Sequence, residues 1–152
     1  MTQESFEAEV TRLIPDLYRV SHALLVRLAD RQDAVQNAIL KAWQHKDRLR
    51  DESKFKSFLL KVLTNECRTL LRKTRREAFV PVPETRASLP DASIREAVAA
   101  LPQKLRAAFV LHYMEGACEE EIAYILNIPR GTVKSRLSRA RLLLRQALSE
   151  EV

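Results

Sequence analysis

EEEIAYILNIPRGTVKSRLSRARLLLR, residues 119–145, decides how this chain is read. Ile122, Ala123 and Leu126 fall at i, i+1 and i+4 and make a short apolar face. Asn127 tolerates the left-handed backbone that ends a helix, and Pro129 has the fixed φ that suits a first helical turn. Val133, Leu137, Ala140 and Leu144 then recur at i, i+4, i+7 and i+11, one buried face of a longer helix. From Arg130 to Arg145 there are six Arg or Lys residues and no acid. A small Ala123 at the crossing, a short turn and a Val ten residues on are what a helix-turn-helix needs to pack closely. Its second helix is then free to enter a major groove. The competing reading is an amphipathic helix pair with a solvated basic face.

Upstream of that stretch the helical period continues. Gly116 ends a helix that Pro102 opens, with Leu105, Ala108, Phe109 and His112 on one side; His112 reads as a core-edge residue. A further helix starts at Ser93 with Ile94, Ala97, Val98 and Leu101 in period. Between Glu77 and Asp91 the period fails. FVPVPETRASLPD holds three prolines and reads as a flexible linker over 77–91.

The first half is helical again. Residues 3 to 28 read as one helix, or two coaxial helices kinked at Pro15, with Leu13, Leu17, Val20, Leu24 and Leu28 on one face. Asp30 is the expected cap of the next helix, with Asp33 adding favourable charge to its first turn. There Val35, Ala38, Ile39, Ala42 and Trp43 form the buried side, and Asp33, Asn37, Lys41 and Gln44 the other, with Leu40 among them. A polar stripe of this kind is ordinarily solvated. His45 to Lys54 is charged and turn-like, and Ser53 is the expected cap of a long third helix. Its core face is Phe55, Phe58, Leu59, Val62 and Leu63. Lys61, Asn65, Arg68 and Arg72, at i, i+4, i+7 and i+11, make a polar, mostly basic stripe on the other side. Five basic residues and no acid lie between Arg68 and Arg76. Such a run is commonly a solvated helix end, but its one-sided placement also fits nucleic acid.

Composition agrees with this outline. There are two glycines, Gly116 and Gly131, and low aromatic content, which favours an all-α fold of two small helical domains, 1–76 and 92–152. Net charge is +6 and the pI about 9.6, which suits a polyanionic partner. Cys67 and Cys118 lack metal-ligand spacing, so no metal or cofactor is expected and both read as buried thiols. No apolar run is long enough to span a membrane, and MTQESFEAEV has no signal pattern, so a cytoplasmic location is expected. There is no Ser/His/Asp or Cys/His constellation and no phosphate-binding glycine loop, so the chain does not read as an enzyme.

IPRGTVKSRLSRAR (128–141) resembles region 4.2 of the extracytoplasmic-function group of sigma-70 transcription initiation factors almost position for position. ALPQKLRAAFVLHYMEGACEEEIAYIL (100–126) is similar to region 4.1 and the first helix of the motif. DAVQNAILKAW (33–43) resembles region 2.2, and FKSFLLKVLTNECRTLLRK (55–73) resembles regions 2.3 and 2.4. Asn65 falls on the family's characteristic asparagine. Asn37 stands where Glu is usual, Phe58 where Trp is, Thr69 where Asp is, and Asn127 where Gly is commoner.

The resemblance implies a non-catalytic subunit that binds core RNA polymerase and promoter DNA, with an anti-sigma factor as a further partner. On the recognition helix, Lys134 and Arg139 can donate to guanine, and Ser135 and Ser138 can donate or accept. Arg130, Thr132 and Arg136 complete the set implied to meet the −35 element, with Arg130, Arg136, Arg141 and Arg145 placed for phosphates. Lys61, Asn65, Arg68 and Arg72 are implied to lie along the −10 element, and the loop Lys46 to Ser53 to capture an unstacked base. Asp33, Gln36, Asn37, Leu40 and Lys41 are implied to face polymerase. Two other classes stay open: a duplex-binding helix-turn-helix regulator that needs no polymerase, and a helical adaptor with no nucleic-acid role.

Overall fold

Seven α-helices and two short 3-10 turns account for the regular structure in the described residues, 1–76 and 92–149, of the computed structural model. The helices are α1 (Gln3–Leu24), α2 (Leu28–Gln44), α3 (Phe55–Arg76), α4 (Ala92–Ala100), α5 (Gln103–Tyr113), α6 (Glu119–Leu126) and α7 (Arg130–Ser149). No strand occurs among the described residues, so the all-α expectation holds there. The expected linker, 77–91, lies outside them.

Helix α1 begins at a reciprocal cap. Thr2 Oγ1 accepts from Ser5 N–H at 3.1 Å, and Ser5 Oγ accepts from Thr2 N–H at 3.0 Å, which satisfies two donors at the helix start. The helix then runs unbroken through Pro15. Pro15 and Thr11 are both exposed, so the carbonyl that loses its donor at the proline lies on the solvent side. Leu13, Leu17, Val20 and Leu24 are buried as the period requires, but Leu28 is 58% exposed. The chain turns extended at Leu25, so the fourth repeat falls on the next helix and points outward. Arg31 fixes that turn from a buried position, its Nε donating to Leu25 O at 2.9 Å.

Two expected caps are corrected. Helix α2 starts two residues before Asp30, with Arg27 at its N-cap, so Asp30 sits in the first turn. There it serves the helix dipole and not the cap. Before α3, Asp51 caps a 3-10 turn over Glu52–Lys54, accepting from Ser53 N–H at 3.0 Å and Ser53 Oγ at 2.7 Å. Ser53 is therefore the donor to the cap, and the α-helix proper opens at Phe55.

Phe6, Phe55 and Trp43 meet edge to face, with centroids 5.1 Å and 5.5 Å from Phe6, and close the α1–α3 core at one end. In the second half Leu105, Ala108, Ile122, Val133, Leu137 and Ala140 are buried among α4–α7. Helix α5 is buried on two sides at once. Val110 and Leu111 are inaccessible as well as Leu105 and Ala108, because α5 packs on α1 as well as on α7. Helix α6 in turn packs on α3. The two halves of the chain thus share one continuous buried core.

Candidate nucleic-acid interface

The turn between α6 and α7 is set by one residue. Asn127 adopts φ 55°, ψ 52°, the left-handed conformation that reverses the chain, and Ile128 N–H donates to Ala123 O at 3.0 Å across it. That six-residue loop satisfies a helix-end carbonyl and aims α7 away from α6. The Pro129 carbonyl then accepts from Thr132 and Val133 at 3.0 and 3.2 Å and starts α7. Val133, Leu137, Ala140 and Leu144 are all buried, as the i, i+4, i+7, i+11 period demands.

The outward face follows from that anchoring. Lys134, Ser135, Ser138 and Arg139 are exposed. Ser135 Oγ donates to Gly131 O at 2.9 Å, so its oxygen remains free to accept from a ligand. Thr132 is half-buried. Arg130 is held on α6 by Glu120 at 3.0 Å and Glu119 at 3.6 Å, an exposed pairing that a phosphate could replace at small cost. Arg136 is half-buried, and burial, then the nearby charge of Arg68, lowers its pKa. Arg141 donates to the Tyr113 hydroxyl at 3.0 Å, and Arg145 Nε to Arg141 O at 3.4 Å.

The α3 stripe is divided. Asn65, Arg68 and Arg72 are exposed. Lys61 lies 4.3 Å over the Tyr124 ring, and Arg68 Nη2 donates to Leu126 O at 2.7 Å. Both of those partners are on α6. On α2, Asp33, Gln36, Asn37 and Leu40 are exposed, Leu40 at 56%. Lys41 pairs with the buried Glu66 of α3, so it carries a structural task within the first half. At the α2–α3 loop, Lys46 stacks 4.0 Å over Trp43, and Asp47, Arg48, Arg50, Asp51, Glu52 and Ser53 are exposed.

A charged cluster between the halves was not legible in the sequence. Arg19 Nε donates to Glu115 Oε2 at 2.6 Å and its Nη2 to Asp16 Oδ1 at 2.7 Å. Lys56 Nζ lies 3.5 Å from both Asp16 and Glu115. Burial pushes the Glu115 carboxyl up, and the hydrogen bond from Arg19 offsets this only in part. Burial also works against the Asp16 carboxylate, but its hydrogen bond with Glu115 and the charges of Lys56 and Arg19 outweigh it and hold Asp16 below its ordinary value. Sequence separation of nearly a hundred residues hides such a cluster from any periodicity. Cys67 is buried, its thiol pushed up to about 12 by burial and then by Glu66, whereas Cys118 is exposed, against expectation, because it stands at the α6 N-cap.

Among the described residues no group of His, Cys, Asp or Glu is placed to hold a metal ion, and no helix is long and apolar enough to cross a membrane.

Comparison with known proteins covers both halves. The family described as Sigma-70 region 2 matches residues 10–77, and Sigma-70, region 4 matches residues 91–144. The chain is 33% identical over 147 residues to the ECF RNA polymerase sigma factor SigM of Mycobacterium tuberculosis, covering 87% of this chain and 75% of that protein. It is 27% identical over 171 residues to the ECF RNA polymerase sigma factor SigW of Bacillus subtilis, covering 97% and 91%. Among solved structures, the sigma factor RpoE bound to the anti-sigma factor NepR from Bartonella quintana superposes with a TM-score of 0.83. The identity is 29%, over 96% of this chain and 98% of that one. CnrH in complex with the cytosolic domain of CnrY shares the fold, with a TM-score of 0.76 at 23% identity.

Proposed function

We infer the roles of individual side chains from the premise that this chain belongs to the sigma-70 family, in its extracytoplasmic-function group. It is a sigma factor, a transcription initiation subunit that binds core RNA polymerase and directs it to promoters. The division of labour proposed here has a region 2-like domain over 1–76, a linker over 77–91 and a region 4-like domain over 92–152. Recognition of the −35 element falls to α7. Lys134 and Arg139 donate to base edges, Ser135 and Ser138 accept or donate, and Arg130, Thr132, Arg136, Arg141 and Arg145 hold the backbone. Recognition of the −10 element falls to Lys61, Asn65, Arg68 and Arg72, with an unstacked base taken up by the loop from Lys46 to Ser53. Polymerase docks on α2 at Asp33, Gln36, Asn37 and Leu40, where an exposed leucine among polar groups fits an interface better than water. Lys41 borders that face while holding Glu66.

One observation carries the reading of α7. Its four anchoring residues are buried on one side, and its outward face presents two cations with two hydroxyls between them. The duplex-binding regulator has no use for a separate basic helix such as α3, and residues 10–77 match sigma-70 region 2. The protein acts where polymerase is, in the cytoplasm. An anti-sigma factor is inferred as its inhibitor, since RpoE of Bartonella quintana is solved in complex with one. Run-off transcription on genomic fragments, with core polymerase alone and with this protein added, tests the function. New, discrete start sites on addition are expected. Transcripts unchanged by a folded protein would refute it.

A further inference from the structure

Two guanidiniums and one phenol come together on the flank of α7 that leans on α5. Arg141 Nη1 donates to the Tyr113 hydroxyl at 3.0 Å, and Arg145 Nε donates back to Arg141 O at 3.4 Å. Arg141 and Arg145 stand at i+7 and i+11 from Lys134, on the same side of the helix. Like charges one turn apart repel, and α5 and α7 carry no acid to offset them over Gln103–Tyr113 and Arg130–Ser149. Glu115, just beyond Tyr113, is buried and already engaged with Arg19. The phenol is held from behind. Its ring lies against Phe109 with centroids 4.7 Å apart and meets His112 edge to face at 4.6 Å, and His112 Nδ1 donates to Ala117 O at 2.9 Å. Tyr113 is nonetheless 49% exposed, and a hydroxyl that accepts from Arg141 still has its own proton to give. Two cations without a carboxylate, beside an unspent hydroxyl proton, are the donor set of a phosphate site.

We propose that Tyr113, Arg141 and Arg145 form one phosphate-binding site across α5 and α7, in which the Tyr113 hydroxyl donates directly to the DNA backbone beside the −35 element and sets the Arg141 guanidinium for the same phosphate. This rests on the reading of α7 as the helix that meets that element. The site takes backbone and not a base for two reasons. Arg141 lies off the ridge that carries Ser135 and Arg139. It also stands about 16 Å along the axis from Arg130, whereas a helix-turn-helix brings the first residues of its second helix to the base edges. A duplex phosphate brings the negative charge that the arginine pair lacks, and the neutral hydroxyl adds a hydrogen bond without adding charge. Helix α5 thereby joins the DNA interface, and its packing on α7 seats the recognition helix on the duplex as well as closing the core.

The test uses polymerase holoenzyme carrying the full chain, and a fluorescein-labelled promoter duplex recovered by run-off transcription. Each phosphate bordering the −35 element is replaced in turn by an uncharged methylphosphonate, and affinity is read by anisotropy. One phosphate should matter to wild type by about fivefold or more, and should cease to matter in both Tyr113→Phe and Arg141→Gln. On the unmodified duplex Tyr113→Phe, which keeps the ring against Phe109, should bind about fivefold more weakly whatever the −35 sequence, with its salt dependence unchanged. Arg141→Gln should also weaken all sequences and lower the salt dependence by about one phosphate contact. Circular dichroism checks that each variant is folded; should one not fold, the other alone tests the shared phosphate. Tyr113→Phe binding as tightly as wild type, or a phosphate that stays sensitive in either variant, would overturn the site. Arg139→Ala separates this from the parent reading. An altered −35 preference there with a silent Tyr113→Phe sinks the site alone, whereas a preference that no α7 variant moves sinks the reading of α7 as well.

Discussion

Arg139→Ala isolates base reading from everything else in α7. The Arg139 side chain is exposed and makes no hydrogen bond or ion pair with any described residue. Arg and Ala have similar helix propensity, so the fold should change by less than about 0.5 kcal/mol. A lost bidentate contact to guanine costs about 1–3 kcal/mol, which is roughly 5- to 160-fold in affinity. That loss should fall at one promoter position: templates with guanine there suffer, and other bases at that position become equivalent to it. Arg145→Ala supplies the contrast. Arg145 follows Arg141 by one turn and bonds back to its carbonyl at 3.4 Å, at the far end of α7 from Lys134. Its removal should weaken all templates alike and lower the salt dependence by about one phosphate contact. The assay is selection from a library of −35 variants by polymerase carrying each protein, repeated at two salt concentrations. Sequence-blind losses of equal size for both substitutions would refute the assignment of Arg139 to a base.

Three further outcomes are expected. Cys118→Ser should raise the melting temperature, because the N-cap backbone is extended (φ −77°, ψ 168°) and a hydroxyl caps better than a thiol. The gain is about 0.5–1 kcal/mol, or roughly 1–4 °C in a chain of this size, read by calorimetry, and a lowered temperature would contradict it. Glu115→Gln tests the buried cluster by pH. Glu115, facing Asp16, Arg19 and Lys56, is raised above its ordinary 4.5, so its contribution to stability is fully present below that value and is lost as pH rises through the folded value. Urea titrations should therefore show the variant gaining on wild type between pH 4 and 7; a difference independent of pH would count against the raised value. Asp33→Lys should abolish pull-down of core polymerase with helicity unchanged, and is a cleaner probe than Lys41, whose reversal would also strand the buried Glu66. Undiminished pull-down would return the α2 stripe to plain solvent exposure.

The helices, and one buried face of each, follow from the pattern of residues along the chain. Val133, Leu137, Ala140 and Leu144 were legible as the anchor of α7, and Asn127 as the turn, because both depend on contacts within a few residues: a 3.6-residue period and a single left-handed position. The same logic misplaced Leu28, since a period can run on through a point where the chain turns. It also set the caps at Asp30 and Ser53, where the 3-10 start of α3 and the earlier start of α2 moved them. How the halves meet is settled by packing between distant parts of the chain. Val110 and Leu111 lie on the second face of α5, and the Arg19–Glu115 pair and the grip of Thr64 and Arg68 on α6 join residues 58 to 96 positions apart. A stripe of polar residues on a helix looks the same in sequence whether it faces water, DNA or another helix. The choice among them depends on what lies opposite, and here the Tyr124 ring meets Lys61 and the Leu126 carbonyl meets Arg68, partners on α6 that no local pattern in α3 encodes.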